Sequence, residues 1–335
     1  MKQSELLKSI SKLSDSQRER IIREIKDYLK INEQLADTRP DVCPCCGKHT
    51  RLIKKGKQSG KQRYQCKTCG SKFVYDSHHI TSCMKITHDE FIEICLDTIT
   101  LVPIKETAAR LDRSIYCVFN NRHKFLALLE KIVNEETDLI SGTIEFDEKY
   151  ILESSKGSSP ENRKSRKRGG KSNYRGISHE QVCIVTTTDR TGHEIFKAVG
   201  YAKPTSDIIA DTFSKRIEEK SVIFTDGLTS YDKLATDRQC QIKHLVGYES
   251  YNKVEHLNTV NSIHSMIEKI IEFYKGIATK YINRYTALFV FMRRMLDTDR
   301  NEKADLLVQI IKNTNFTLRR KDIRTNNLFS SYSNF

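Results

Sequence analysis

The feature that most restricts the fold of this chain is a pair of Cys-x-x-Cys motifs, Cys43 to Cys46 and Cys66 to Cys69, separated by 19 residues. A glycine follows each motif and allows the tight turn that closes it. Four thiolates at this spacing are the tetrahedral ligand set of a structural Zn²⁺ site, although a redox pair or a chance spacing is the alternative. Because so short a segment buries too little apolar surface to fold alone, we predict a metal-dependent zinc ribbon over residues 39–76.

Basic charge is concentrated in two blocks of the chain, which has a formal net charge of +14. Residues 43–75 contain nine basic residues and no acidic one, and residues 154–176 contain eight basic residues and one acidic one. One such run is compatible with a solvated face. Two runs on an otherwise balanced chain favour a nucleic acid, because contact with phosphates releases counterions. The residues of these blocks that we predict to contact DNA are Lys54, Lys55, Lys57, Arg63, Arg163, Lys164, Arg166, Lys167 and Arg168.

Membrane association is not expected from the sequence. No apolar run approaches the roughly 20 residues that a bilayer requires, and Lys2, Glu5 and Lys8 interrupt the place of a signal-peptide core. Neither basic block has the apolar face of an interfacial helix. We therefore expect a cytoplasmic protein, in which the ten cysteines are thiols or metal ligands and not disulfides.

Two helical regions flank the predicted ribbon. Residues 1–38 have apolar residues at three- and four-residue spacing, which predicts N-terminal amphipathic helices used for packing or oligomerisation. Residues 84–135 predict helix, short turn and helix, similar to a helix-turn-helix. In this interpretation the second helix reads DNA with Tyr116, Asn120, Asn121 and Lys124 exposed. The alternative is a pair of packed helices without a DNA contact.

From residue 140 the pattern changes to strands alternating with helices. Three consecutive strands, followed by strands that helices separate, predict a mixed α/β sheet over residues 140–298. The second basic block, 154–176, is a Ser- and Gly-rich insertion between the first two strands. Residues 299–335 are predicted to form a C-terminal helix and a polar tail.

Two aspartates of this region stand where strands are predicted. Asp147 lies within a strand whose neighbours are apolar, and Asp226 directly follows the apolar run Val222–Thr225. A charge in the first setting needs an exposed face or a partner, whereas the second, taken alone, is typical of an Asp-Gly turn. Together they match two-metal phosphoryl chemistry, in which carboxylates converge from neighbouring strands onto hard cations.

The chain resembles the ISXO-like group of insertion-sequence transposases, which have a zinc ribbon and an RNase H-like catalytic domain. The motifs that carry the resemblance span most of residues 40–290 and are CPCCG, RYQCKTCGSKF, ETAARL, EFDEKY, FTDGLTSY, HLNTVNSIHSMIEK and FYKGIATKYINRY. The resemblance implies that Asp147 and Asp226 are the first two metal ligands. It places the third ligand, a glutamate in most such enzymes and an asparagine in one branch, at Asn261.

The sequence departs from the family seven residues after Asn261. Where the family usually has lysine, this chain has Glu268 followed by Lys269. Seven residues are two helical turns, so Glu268 shares a helix face with Asn261 and His264. Either Glu268 supplies the missing carboxylate, or Lys269 takes over the DNA contact, or this copy is impaired. Four further residues are interpreted as orienting or structural and not as ligands, namely Glu145, Glu148, His256 and Asn258.

The function that the resemblance implies is transposition. Two Mg²⁺ (or Mn²⁺) ions would activate water to cut each end of the element at its terminal inverted repeats, and then the 3′-hydroxyl to attack target DNA. Because two ends are cut, we expect a homodimer or larger assembly on double-stranded DNA. The resemblance also implies a prokaryotic protein that is associated with the nucleoid when bound to DNA. Two alternatives remain open: a DNA-binding protein derived from a transposase whose catalytic domain is impaired, and a structure-specific nuclease or resolvase.

Overall fold

The computed structural model describes residues 43, 45–46, 48, 50–58, 61–74, 80–81, 84–136, 138–157, 164, 166, 170–247, 254–274, 276–294, 299–314 and 316–324. The predicted N-terminal helices, residues 1–38, lie outside the described residues, as does the tail after residue 324. The chain divides into two compact units, Met1–Cys83 and Met84–Phe335.

The first unit contains a three-stranded antiparallel sheet. Its strands follow one another in space as in the sequence and are β1 (Leu52–Gln58), β2 (Lys61–Cys66) and β3 (Lys72–Val74). The apolar core between the strands and the cysteine turns is small, with Leu52 and Tyr64 buried against Cys43 and Cys66. A core of this size explains why we expect a metal to be needed for folding.

The second unit begins with three helices, α1 (His88–Ile99), α2 (Ile104–Arg110) and α3 (Ile115–Glu135). Thr87 and Glu90 form a capping box at the start of α1, and the Ser114 hydroxyl accepts a hydrogen bond from the backbone N–H of Cys117 at the start of α3. Asp112 has a φ of +49° in the turn between α2 and α3, a conformation that aspartate tolerates better than most residues. The helix, turn and helix of the prediction are therefore present.

The prediction that Asn120 is exposed on the second of these helices was wrong. Asn120 is 8% exposed, and its side-chain amide donates to the carbonyl of Tyr116 at 2.8 Å. Ten of the 21 residues of α3 are buried, and helix α7 (Ile282–Arg294) packs along it. At the start of α3, Tyr116 is covered by the guanidinium of Arg320, 4.2 Å from the ring centroid. Lys124 is half-buried, so the DNA-reading surface expected on this helix is largely covered by the protein itself.

A five-stranded mixed sheet forms the centre of the second unit, and the predicted α/β sheet is confirmed. Its strands are β4 (Thr143–Leu152), β5 (Gln181–Asp189), β6 (Glu194–Tyr201), β7 (Val222–Thr225) and β8 (Gln241–His244). Their order in the sheet is β6-β5-β4-β7-β8, with β5 antiparallel to β4 and β6, and β7 parallel to β4 and β8. The first strand of the predicted sheet, β4, is thus the central one.

Helices cover both faces of β4, whose side chains alternate between them. Ile144 and Phe146 join a core with Phe213 and Tyr231 on one face, and the other face meets helix α6 (Asn258–Phe273). The remaining helices are α4 (Ser206–Phe213), α5 (Asp232–Asp237), α8 (Arg300–Asn313) and α9 (Arg320–Arg324). Within the described part of the chain, no helix is both long and apolar enough to cross a membrane.

Candidate active site

Three carboxylates meet where β7 ends beside β4. One oxygen from each of Asp147, Glu148 and Asp226 lies within 4.8 Å of the other two. The pairing of β7 with β4 stops at Glu145 and Phe224, so the next residues of β4 face the space that Asp226 enters after β7. This geometry brings together the two aspartates that the sequence singled out.

Glu148 is the member of this group that the sequence analysis did not count as a ligand. The hydroxyl of Tyr231, which is itself fully buried, donates a hydrogen bond to the Glu148 carboxylate. Burial raises the pKa of Glu148 to about 7, and the charges of Asp226 and Asp147 contribute in the same direction. The signal in the sequence was the tyrosine of FTDGLTSY, but its contact with Glu148 is apparent only in the folded protein.

The three carboxylates fit a hard divalent cation such as Mg²⁺, which prefers oxygen ligands. The Asp226 side chain is exposed, and Asp147 and Glu148 are half-buried, so the group opens to solvent on one side. Mutual repulsion among three close carboxylates is relieved when a cation lies between them. The residues present can therefore hold the metal that phosphoryl chemistry requires.

Helix α6 lies along β4 and contacts it at regular intervals. The backbone N–H of Val260 donates to Glu145 at 2.9 Å, and further along the helix Nδ1 of His264 lies 3.3 Å from an oxygen of Asp147. One turn later Glu268 pairs with Lys149. Two strand residues span about 6.6 Å and four helical residues about 6 Å, so the two elements remain matched over all three contacts.

Asn261 lies one turn before His264 on α6, and its side chain is exposed. Because His264 contacts Asp147, this turn of the helix is next to the carboxylate group. Glu268 lies farther along α6, with a side chain 60% exposed and paired with Lys149. Among the described residues, the carboxylates close enough to share a cation do not include Glu268. Lys269 is exposed beside it.

We expect Glu268→Gln to change Mg²⁺-dependent DNA cleavage by no more than about fivefold, because an exposed ion pair contributes about 0–1 kcal/mol. The measurement is the initial cleavage rate of a labelled duplex over a range of Mg²⁺ concentrations. Lys149→Gln, which removes the other partner of the same pair, is the matched control and should behave alike. A hundredfold loss in Glu268→Gln alone would place Glu268 in the metal site.

The four predicted zinc ligands converge in the first unit. Their sulfur atoms lie within 4.8 Å of one another, with Cys43 Sγ 3.7 Å from Cys69 Sγ and Cys46 Sγ 3.9 Å from Cys66 Sγ. A tetrahedral site with Zn–S bonds of about 2.3 Å has sulfur atoms about 3.8 Å apart. Gly70 has a φ of +72° in the turn after the second motif, as that turn requires. The four cysteines therefore fit a Zn²⁺ ion.

The cysteines around the zinc site differ in their hydrogen bonding and in their exposure to solvent. The Ser71 hydroxyl lies 3.1 Å from Cys69 Sγ, and hydrogen bonding from Ser71 lowers the pKa of the Cys69 thiol to about 6. A thiol with such a pKa is largely a thiolate at neutral pH, the form that binds zinc. Cys45, between the first two ligands, is exposed and lies outside the group of four.

The basic residues predicted to contact DNA occupy different settings. On the ribbon, Lys54, Lys55 and Lys57 are exposed and Arg63 is half-buried. Lys164 and Arg166 are the predicted contacts of the insertion that the structure describes, and Arg163, Lys167 and Arg168 lie outside the described residues.

Arg166 is directed into the protein and not toward solvent. It donates to the carbonyl of Glu153 at 2.6 Å and pairs with the Glu180 carboxylate at 3.1 Å. Hydrogen bonds from the backbone and side chain of Asn173, and from Ser172, lower the pKa of Glu180 to about 2. Arg166 therefore anchors the insertion to the start of β5, and a role in DNA contact, as predicted, would require it to leave Glu180.

Comparison with known proteins finds a family model that matches part of the second unit. Residues 139–294 match the family model described as the ISXO2-like transposase domain. No curated protein matches the sequence.

Solved structures that resemble the chain include three of Mos1 transposase: a paired-end complex with the left transposon end, a pre-cleavage transpososome and a strand transfer complex. Their sequence identities are 11%, 13% and 12%, and their TM-scores are 0.24, 0.24 and 0.25. The matches cover 70%, 72% and 69% of this chain and 82%, 83% and 80% of those chains. At these TM-scores the likeness supports no statement about fold or function.

The family match spans the central sheet, the carboxylate group and α6. Over these residues it confirms the resemblance indicated by the sequence motifs, because residues 139–294 are similar to the ISXO2-like transposase domain.

Proposed function

We propose that the protein is a DNA transposase that cuts the ends of its element and joins them to target DNA in a reaction dependent on Mg²⁺ or Mn²⁺. The observation that carries the proposal is the convergence of Asp147, Glu148 and Asp226 at the end of β7, within a domain of a transposase family. Asn261, on the adjacent turn of α6, is proposed as a neutral fourth ligand through its amide oxygen. The mixed sheet is compatible with the RNase H-like architecture that the resemblance implies.

The residues around the carboxylates hold them in place for this chemistry. Divalent cations, when bound, activate the attacking oxygen and stabilise charge on the phosphate. His264 bridges Asp147 and Thr186, with its Nε2 3.0 Å from the threonine hydroxyl, and so fixes the orientation of the Asp147 carboxylate. Tyr231 does the same for Glu148 by donating a hydrogen bond to its carboxylate.

The main alternative is a DNA-binding protein with an impaired catalytic domain. The observation in its favour is that Asn261 is neutral at the position where the resemblance implies a glutamate in most such enzymes, while Glu268 is engaged with Lys149. A site with one carboxylate fewer binds cations more weakly. Glu148 restores the number of carboxylates to three, which is why we favour the active enzyme.

The test uses the purified full chain and a supercoiled plasmid that carries its gene with the native flanking DNA. With Mg²⁺ we expect cleavage at the two ends of the element and joined products in a target plasmid, and with a chelator we expect neither. Binding to the ends without cleavage in Mg²⁺ or Mn²⁺ would support the DNA-binding alternative. Cleavage of branched DNA regardless of the ends would support the nuclease.

The two basic blocks are expected to act at different steps of the reaction. Replacing the exposed Lys54, Lys55 and Lys57 with glutamine should weaken binding to element ends and reduce the salt dependence of affinity by about one unit per lost phosphate contact. Replacing Lys164, Lys167 and Arg168, while keeping the anchor Arg166, should instead reduce strand transfer more than end binding. Anisotropy titrations at several salt concentrations and a strand-transfer assay separate the two, and equal losses of end binding would contradict the division.

A further inference from the structure

The first turn of α6 is held by residues that do not belong to the helix. The residue before the helix, Leu257, has an apolar side chain and offers no acceptor to the free N–H groups of the first turn. The backbone N–H of Val260 instead donates to Oε2 of Glu145, at 2.9 Å, from the neighbouring strand β4. Glu145 is 1% exposed. A buried carboxylate at this end of a helix is also favoured by the helix dipole.

Arg190 completes this arrangement from the turn between β5 and β6. Its guanidinium pairs with the Glu145 carboxylate, and it donates to the carbonyl of Val254 at 3.1 Å and to the hydroxyl of Thr259 at 3.2 Å. The buried charge of Glu145 is therefore balanced, as it must be away from water. The same arginine ties the segment leading into α6 to the sheet.

The position of Glu145 makes this contact relevant to the carboxylate group. Its backbone is paired on both sides, with Thr188 of β5 and Phe224 of β7, so its location in the sheet is rigid. It lies two residues before Asp147 on β4, and Val260, which it holds, directly precedes Asn261 on α6. Glu145 thus links Asp147 to Asn261 by a short path, in addition to the contact that His264 makes with Asp147 three residues later on the helix.

We propose that Glu145 and Arg190 are positioning residues that place the first turn of α6, and with it Asn261, at the distance from Asp147 that cation binding requires. The inference rests on the proposed function and deepens it. Neither residue belongs to the group of Asp147, Glu148 and Asp226 that could share a cation, so each would act by positioning a ligand. Replacing a partner that orients a metal ligand typically lowers metal affinity or activity 10- to 100-fold.

The test compares Glu145→Gln, Glu145→Ala and Arg190→Gln with the unaltered full chain. Glu145→Gln keeps an oxygen for the N–H of Val260 but loses the charge that pairs with Arg190, and Glu145→Ala loses both. We expect the Mn²⁺ dissociation constant from calorimetry, and the Mg²⁺ concentration for half-maximal cleavage, to rise about 10- to 100-fold in Glu145→Ala. The rise should be smaller in Glu145→Gln and in Arg190→Gln, and affinity for DNA should be unchanged.

Glu194→Gln is the matched control. Glu194 is another buried glutamate of the same sheet, and it accepts a hydrogen bond from Arg293 at 2.7 Å on α7, a helix other than α6. This variant should lower the melting temperature without changing Mn²⁺ affinity. If the Glu145 and Arg190 variants likewise lose only stability, the positioning role is overturned. If Glu145→Ala does not fold, the positioning role is tested with Glu145→Gln and Arg190→Gln, by their Mn²⁺ affinity and their Mg²⁺ concentration for half-maximal cleavage.

The proposed function and the positioning role fail in different ways. If the unaltered chain shows no metal-dependent cleavage, the proposed function fails, and the Mn²⁺ titrations still report on Glu145. If the unaltered chain cuts DNA and all three variants keep its Mn²⁺ affinity and Mg²⁺ midpoint, the positioning role alone is overturned.

Discussion

Asp226→Asn should reduce Mg²⁺-dependent cleavage by more than about 100-fold. Loss of a residue that only orients a metal ligand typically lowers metal affinity or activity 10- to 100-fold, and Asp226 is proposed as a ligand itself. The substitution removes one negative charge from the three-carboxylate group while keeping nearly the same shape. Asp226 is exposed, and the contact that it makes with the backbone N–H of Leu228 is long, 3.4 Å. The fold should therefore be retained, and the loss should reflect cation binding.

The measurement pairs cleavage of a labelled element end with anisotropy titration of the same DNA. Affinity should be unchanged because neither basic block is altered. Asp232→Asn is the matched control, since Asp232 is an exposed aspartate of the same region that pairs with His244 and lies outside the carboxylate group. It should cut at the normal rate. Cleavage that persists in Asp226→Asn and in Asp147→Asn would overturn the catalytic assignment.

The strands and the two aspartates could be predicted from the sequence because their signals are local. Alternating apolar residues define β4, and Asp226 directly follows the short apolar strand β7. The aspartates were expected to meet because two-metal chemistry needs carboxylates from neighbouring strands, and in the structure these two strands are parallel neighbours.

Glu148 could not be predicted as a member of the site because the decisive contact is not local. Alternation along β4 assigns Glu148 to the face opposite Asp147, which argues against a shared site. The two side chains meet only because β7 ends before this level of β4 and because Tyr231, 83 residues away, holds Glu148.

The wrong prediction that polar side chains of α3 are exposed also arises from contacts between residues far apart in the sequence. Its polar residues at 120–123 are typical of a solvent-facing helix surface, yet all four are buried, and several helices pack against α3. Arg122 donates to the carbonyl of Val102 at 2.8 Å, and the ring of His123 lies 4.2 Å from that of Tyr281. Burial of polar side chains through such contacts depends on tertiary packing and cannot be recognised from the local sequence pattern.

Cys66→Ser should abolish zinc binding by the first unit and unfold the ribbon. The four sulfur atoms are spaced as a tetrahedral zinc site requires, and Cys66 is also one of the few buried residues of the small core. Structural zinc contributes about 10–16 kcal/mol to the folded state of such domains, more than a core of this size can replace. The exposed lysines of β1 would then lose their fixed spacing, and binding to element ends should fall about as far as in the variant lacking those lysines.

Zinc content of the purified full chain, measured by elemental analysis, should be one ion per chain before the substitution and none after it. Cys45→Ser is the matched control, because Cys45 lies between Cys43 and Cys46 in the sequence but is exposed and outside the group of four. This variant should keep its zinc and its affinity for DNA. Stoichiometric zinc in Cys66→Ser, or loss of zinc in Cys45→Ser, would show that the ligand set is different from the four cysteines proposed. Loss of zinc in Cys66→Ser without weaker binding to element ends would show that the folded ribbon is not needed for DNA recognition.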